Sequence, residues 1–171
     1  MRHNNIARQN LLSSLMEDYG TKLQHLCMVY YPYDRHRRDE LFNDIVYRLW
    51  RSLGHFDPEG DPWPWIVRVA YNAAMSMHRR TRLSRLTRTI TPADDRIAEE
   101  DAGRDTMLAE LYRLIDKLDT RDRTLTYLYI DNLPQARIAQ IMQTSETNVS
   151  TRINRIKEKL KKMHDNGEGD I

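Results

Sequence analysis

Residues 134–160 carry the sequence PQARIAQIMQTSETNVSTRINRIKEKL, and this stretch decides the fold of the C-terminal part of the chain. Apolar residues recur at helical spacing on both sides of a polar triplet, residues 143–145, which predicts two helices joined by a three-residue turn. Either Thr144 or Ser145 is expected to cap the second helix. Ala139 is small enough to let the two helices cross closely. The pattern predicts a helix-turn-helix.

The second of these helices has two different faces. Its inward face is an apolar stripe made of Val149, Ile153, Ile156 and Leu160. The opposite arc and its flanks carry short polar side chains and arginines, namely Thr147, Asn148, Ser150, Thr151, Arg152, Asn154 and Arg155. Such groups suit base edges and phosphates in the major groove. An antiparallel helix pair in a bundle is the alternative, but it would not usually collect these residues on one face.

Charge is distributed in blocks, although 27 basic and 25 acidic residues leave a net charge of only +2. Residues 62–93 contain six arginines and no acid, residues 94–105 are mainly acidic, and residues 134–164 are again mainly basic. Two basic blocks suggest two contacts with a polyanion. For any single charge run, a solvated helix face is the more common meaning.

A further amphipathic helix is expected to begin at Pro62, with Asp61 as its N-cap. One of its faces is apolar and rich in small residues. The other is polar and free of acids, which is typical of a helix that meets an anion; it carries Arg68, Asn72 and Arg79, with Arg80 beside them.

The remaining pattern is helical nearly throughout, with no convincing strand. We therefore expect an all-α fold of two small helical domains joined by a linker: residues 1–90, a linker at 91–105, residues 106–164 and a tail at 165–171. The lone Cys27 excludes an internal disulfide, and no apolar run is long enough for a membrane span. The N-terminus lacks the features of a signal peptide, so we expect a soluble cytoplasmic protein.

No pattern points to an enzyme. The basic blocks lack paired carboxylates, and the six histidines show no metal-ligand spacing. We therefore expect no catalytic residues, no metal and no cofactor.

Both halves resemble an alternative bacterial sigma factor of the extracytoplasmic-function (ECF) type, the compact class with only domains two and four. The similar segments of the first half are residues 39–50, 56–60 and 65–72, with the arginines at 79, 80 and 82. Those of the second half are residues 118–123, 132–133, 138–141 and 147–152. The first half would then bind polymerase core and recognise and melt the −10 element, and the second would read the −35 element.

The resemblance also implies roles for individual residues. The helix around residues 39–53 is similar to the one that docks on the clamp of the largest polymerase subunits, where Asp44, Arg48 and Arg51 lie outside the apolar stripe. The loop 56–63 and Asn72 match positions where the family captures a flipped base of the −10 element, so we expect DNA contacts from Phe56, Trp63, Arg68, Asn72, Arg79 and Arg80. For Trp63 core packing is an equal alternative, and for Trp65 it is favoured.

The partners implied are RNA polymerase core, promoter DNA and an anti-sigma factor. Three positions depart from the family pattern: Gln143 in the turn, where glycine is frequent, Pro62, where an aromatic residue is frequent, and Ser150, where a basic residue is frequent. The alternative function is a helix-turn-helix regulator that acts without polymerase core, but it would leave residues 39–88 without a role.

Overall fold

The computed structural model describes the backbone of residues 2–87 and 106–167 and the side chains of residues 6–83 and 109–165. Within those ranges the regular structure is helical and contains no strand. The helices are α1 (Arg2–Tyr30), α2 (Arg35–Ser52), α3 (Pro62–Thr87), α4 (Thr106–Asp116), α5 (Thr120–Ile130), α6 (Gln135–Met142) and α7 (Glu146–Gly167), with a 3-10 turn (Leu53–His55) after α2. The expected all-α class is confirmed. The predicted linker at 91–105 lies outside the described residues.

Polar side chains fix where several helices begin. The carboxylate of Asp61 accepts the backbone N–H of Trp63 at 3.0 Å, and the hydroxyl of Ser145 accepts that of Asn148 at 3.2 Å. Asp34 and Asp119 cap α2 and α5 in the same way. These bonds satisfy donors that have no partner within the helix. The sequence-based caps at Asp61 and Ser145 are confirmed.

Two helices end on a non-glycine residue in the left-handed region, Asn132 after α5 (φ 58°) and Gln143 after α6 (φ 53°). After α6, the N–H of Thr144 donates to the carbonyl of Ala139 at 3.0 Å, the hydrogen-bond pattern of a Schellman C-cap. Glycine is the usual residue at this position because it has no Cβ. Gln143 therefore adopts the conformation that glycine would take, and the turn keeps its three residues.

Helices α1, α2 and α3 bury a common apolar core. Its fully buried members include Leu23, Leu26, Leu41, Ile45, Leu49 and Ile66. On α3 the inward face is small, with Ala70, Ala73 and Ala74 all buried, and small side chains let helix axes approach closely. Cys27 lies in the same core, as expected, and burial raises the pKa of its thiol to about 12.

The two halves of the chain pack against each other, α1 and α3 facing α5 and α6. Buried residues from both halves form one continuous cluster. Within it the hydroxyl of Tyr30 lies 2.7 Å from Oγ1 of Thr124, whose own hydroxyl donates to the carbonyl of Thr120 at 2.9 Å, so Tyr30 is the donor. The guanidinium of Arg123 donates to the carbonyl of Tyr30. The relative placement of the halves, which the sequence left open, is set by this shared burial.

Candidate nucleic-acid interface

Helices α6 and α7 form the predicted helix-turn-helix, and α7 presents its polar arc to solvent. Val149, Ile153 and Ile156 are buried, as the apolar stripe predicts. The exposed members of the predicted DNA-contact set on α7 are Thr147, Asn148, Thr151, Asn154 and Arg155, while Ser150 is half-buried. The exposed residues offer hydroxyl, amide and guanidinium groups over two turns of one helix. Such an arc has the donors and acceptors needed for base edges and phosphates.

Arg152 is placed differently from its neighbours on α7. Its Nε donates to Asp122, and its Nη2 lies 3.2 Å from Oδ2 of Asp119. Both carboxylates belong to the beginning of α5, where Asp119 is the N-cap. Burial lowers the pKa of Arg152, but the hydrogen bond to Asp122 and the charges of both carboxylates outweigh it, so this pKa lies above its ordinary value.

Helix α3 presents a second cationic surface. Arg68, Asn72, Arg79 and Arg80 are all exposed, and residues 62–87 contain no carboxylate. Arg68, Asn72 and Arg79 share one face without neutralising acids on the same helix, and Arg80 lies beside that face in a groove that Glu40 of α2 also lines. Arg68 also borders a groove lined by Trp65 of α3 and by Arg137 and Gln140 of α6.

The two aromatic residues expected to meet DNA differ in accessibility. Phe56 is half-buried, and its ring lies 4.8 Å from the ring of Trp65, centroid to centroid. Trp63 is only 5% exposed, and its ring stacks on Tyr19 at 5.9 Å and meets the edge of Tyr127 at 6.5 Å. In this arrangement Trp63 has the core-packing role that the sequence allowed as an alternative.

Polar groups of both halves converge on the edge of the Trp63 ring. Its Nε1 donates to Oδ2 of Asp131 at 2.9 Å, and the ammonium of Lys22 lies 2.9 Å from the same oxygen. Lys22 also stands over the indole, 4.3 Å from the ring centroid. Trp63 thereby joins α1 and α3 to the end of α5.

On α2 the three residues predicted to bind a partner lie together on the surface. Asp44 and Arg48 form an ion pair at 3.0 Å, and Arg51 stands 5.9 Å from the ring centroid of Tyr47. Tyr47 is 57% exposed and was missed by the sequence reasoning. The spacing could have indicated that Tyr47 lies on this surface, because it follows Asp44 by three residues and precedes Arg51 by four, and residues so spaced are neighbours on a helix.

The described residues contain no cluster of three or more potential metal ligands. Nor does any helix in the described ranges have the length and apolar character needed to cross a membrane.

Two family models match the chain, one for each half. Residues 15–84 match sigma-70 region 2, and residues 108–160 match sigma-70 region 4. The chain belongs to the sigma-70 family. Region 2 followed by region 4 is the layout expected of the ECF type, and that prediction is confirmed. As a sigma factor, the protein binds RNA polymerase core and directs transcription initiation at promoters.

Solved structures share the fold of this sigma factor. CnrH, in complex with the cytosolic domain of CnrY, matches with a TM-score of 0.65 and 23% identity, covering 92% of this chain and 89% of CnrH. The sigma factor RpoE from Bartonella quintana, in complex with the anti-sigma factor NepR, matches with a TM-score of 0.70 and 15% identity, covering 92% of this chain and 98% of RpoE. No curated protein sequence matches significantly.

Proposed function

We propose that this sigma factor reads the −35 element with α7, opens and holds the −10 element with α3 and the loop before it, and docks on the polymerase clamp with α2. The observation that carries the proposal is the exposed polar arc of α7 in a helix-turn-helix. It acts in the cytoplasm by binding rather than by catalysis, and an anti-sigma factor is a further partner.

In the −35 contact, Thr147, Asn148, Ser150, Thr151, Asn154 and Arg155 approach the major groove. Arg155 is the best single test because it is exposed and carries the only positive charge among these six. Arg155→Ala is expected to weaken binding of promoter DNA by the holoenzyme about 5- to 150-fold, the equivalent of about 1–3 kcal/mol, if the guanidinium meets a base edge. A phosphate contact would instead give a uniform loss across sequences and lower the salt slope by about one.

The matched control is Lys157→Ala. It removes the same charge from the same helix, but Lys157 is about 200° away around the axis and donates to the hydroxyl of Tyr129 at 2.7 Å. The probe is a DNA fragment selected from a randomised pool by the wild-type holoenzyme. Equal losses in the two variants would show that α7 contributes only general charge, and the −35 assignment would be wrong.

In the −10 contact, Phe56, Arg68, Asn72, Arg79 and Arg80 receive the opened strand, whereas Trp63 is buried and bonded to Asp131. Extruding a base costs a few kcal/mol of stacking, which the protein must return through stacking and hydrogen bonds. Asn72→Ala should leave duplex binding near normal but reduce permanganate reactivity of thymines around −10. The exposed Gln24 on α1 supplies the control, Gln24→Ala. Normal opening by the Asn72 variant would remove this residue from the contact.

The polymerase contact comprises Asp44, Arg48 and Arg51, together with Tyr47. Asp44→Arg should weaken the affinity for polymerase core while lowering the free energy of unfolding by no more than about 1 kcal/mol, because the pair with Arg48 is partly exposed, at 23% for Asp44 and 37% for Arg48, and solvent-screened ion pairs contribute about 0–1 kcal/mol. Asp39→Arg is the control, since Asp39 is exposed on the same helix about 140° away. Unchanged affinity of the Asp44 variant would place the polymerase on another face. Failure of the wild-type chain to copurify with core would instead favour the regulator that acts alone.

A further inference from the structure

Arg152 forms ion pairs within the C-terminal half of the chain. Its guanidinium bridges Asp122, whose side chain is 15% exposed, and Asp119, whose side chain is 60% exposed. Asp119 also accepts the backbone N–H of Asp122 at 2.8 Å as the N-cap of α5. One arginine on α7 thus binds two carboxylates at the beginning of α5. A planar guanidinium suits such a bridge because it offers several donors in a fixed fork.

The two carboxylates lie close to the surface proposed to face DNA. Asp122 and Arg152 line the same groove as Thr151, Arg155 and Lys159. Left uncompensated, Asp122 would repel a phosphate backbone approaching this groove. With the bridge in place the two acids and Arg152 sum to a charge of −1 rather than −2.

We propose that Arg152 is a positioning residue rather than a reader of DNA: it holds α7 at a fixed angle on α5, so that Arg155 and the Thr147–Thr151 arc meet the major groove together. This inference rests on the proposed −35 function. It has an unusual consequence, because Asp122, an acid beside a DNA-binding surface, becomes necessary for DNA binding. If Arg152 met DNA directly, Asp122 would only compete for it and repel phosphate.

The test measures binding of the pool-selected promoter fragment by the holoenzyme as salt is varied. Asp122→Asn is expected to weaken binding about fivefold to tenfold, and adding it to Arg152→Ala should cause little further loss, since residues of one ion-pair network are coupled. Asp122→Glu, which keeps the carboxylate, should restore most of the affinity. The slope of log Kd against log salt should stay unchanged in Arg152→Ala, because no phosphate contact is lost.

Each contrary result overturns the proposal. Tighter binding by Asp122→Asn, or a salt slope reduced by about one in Arg152→Ala, would mean that Arg152 contacts DNA. Thermal melting of every variant distinguishes unfolding from a changed orientation of α7 on α5. If Arg152→Ala does not fold, the comparison of Asp122→Asn with Asp122→Glu is the test. Arg155→Ala distinguishes failure of the −35 assignment from failure of the positioning role. If Arg155→Ala does not change DNA binding, the −35 assignment is wrong. If Arg155→Ala weakens binding but Asp122→Asn does not, only the positioning role of Arg152 is wrong.

Discussion

The hydrogen bond between Trp63 and Asp131 offers a direct test of how the two halves are held together. Asp131→Ala removes the acceptor of the indole N–H of Trp63, a residue that is 5% exposed. Leaving a buried donor unsatisfied costs about 1–3 kcal/mol. The ion pair with Lys22 adds less than about 1 kcal/mol because the Lys22 side chain is 39% exposed. We therefore expect the free energy of unfolding to fall by about 1–3 kcal/mol.

Asp131→Asn separates the hydrogen bond from the charge. The amide oxygen of asparagine can still accept from the indole, so only the charge is lost. Asp131 follows the C-terminal end of α5, where a negative charge is unfavourable by about 0.3–1 kcal/mol, and relief of that cost offsets the lost ion pair. The asparagine variant should therefore lie within about 1 kcal/mol of wild type.

Urea unfolding followed by circular dichroism at 222 nm measures both variants, with an unchanged m-value confirming that the unfolded states are comparable. Fluorescence of a chain that retains Trp63 as its only tryptophan, with Trp50 and Trp65 replaced by phenylalanine, reports whether the indole becomes hydrated. Equal, wild-type stabilities of both variants would refute the buried bond. An equal loss in both would show that charge, rather than the hydrogen bond, joins the halves.

Three further outcomes are expected. Gln143→Gly should raise the melting temperature slightly. It relieves about 1–2 kcal/mol of left-handed backbone strain, which exceeds the cost of about 0.5–1 kcal/mol from the larger conformational entropy of glycine in the unfolded chain. A lower melting temperature would contradict this strain. Tyr30→Phe, which removes the donor to Thr124, should cost about 0.5–1.5 kcal/mol in urea unfolding, and no cost would mean that water replaces the bond. Stability should fall as pH rises above 9, because the unfolded thiol of Cys27 ionises near 9 while the buried one keeps its proton until about 12. This one thiol contributes at most about 1.4 kcal/mol per pH unit. Cys27→Ala should therefore flatten the decline measured by urea unfolding between pH 9 and 10, below the range where Tyr30 and Tyr127, whose pKa values burial also raises, add to it.

Local signals were sufficient for the helices and for the helix-turn-helix. The N-caps at Asp61 and Ser145 depend on side chains that bond to backbone two or three residues away, so the sequence contains all the partners. The buried stripe of α7 follows in the same way from helical periodicity. Of the patch proposed on α2, the sequence suggested Asp44, Arg48 and Arg51 but not Tyr47, because periodicity marks inward residues and does not single out one exposed aromatic residue from others.

Other features depend on contacts between residues far apart in the chain. The bond from Trp63 to Asp131 spans 68 residues, and that from Arg152 to Asp122 spans 30. A helical wheel places Arg152 beside the polar arc of α7, but it contains no information about the carboxylates on α5 that take up its charge. The sequence alone determined the helices, the N-caps at Asp61 and Ser145 and the two cationic surfaces, because these arise from local bonding and composition. Only the tertiary structure decided that Trp63 is buried and that Arg152 is paired, because burial and ion pairing depend on which helices pack together.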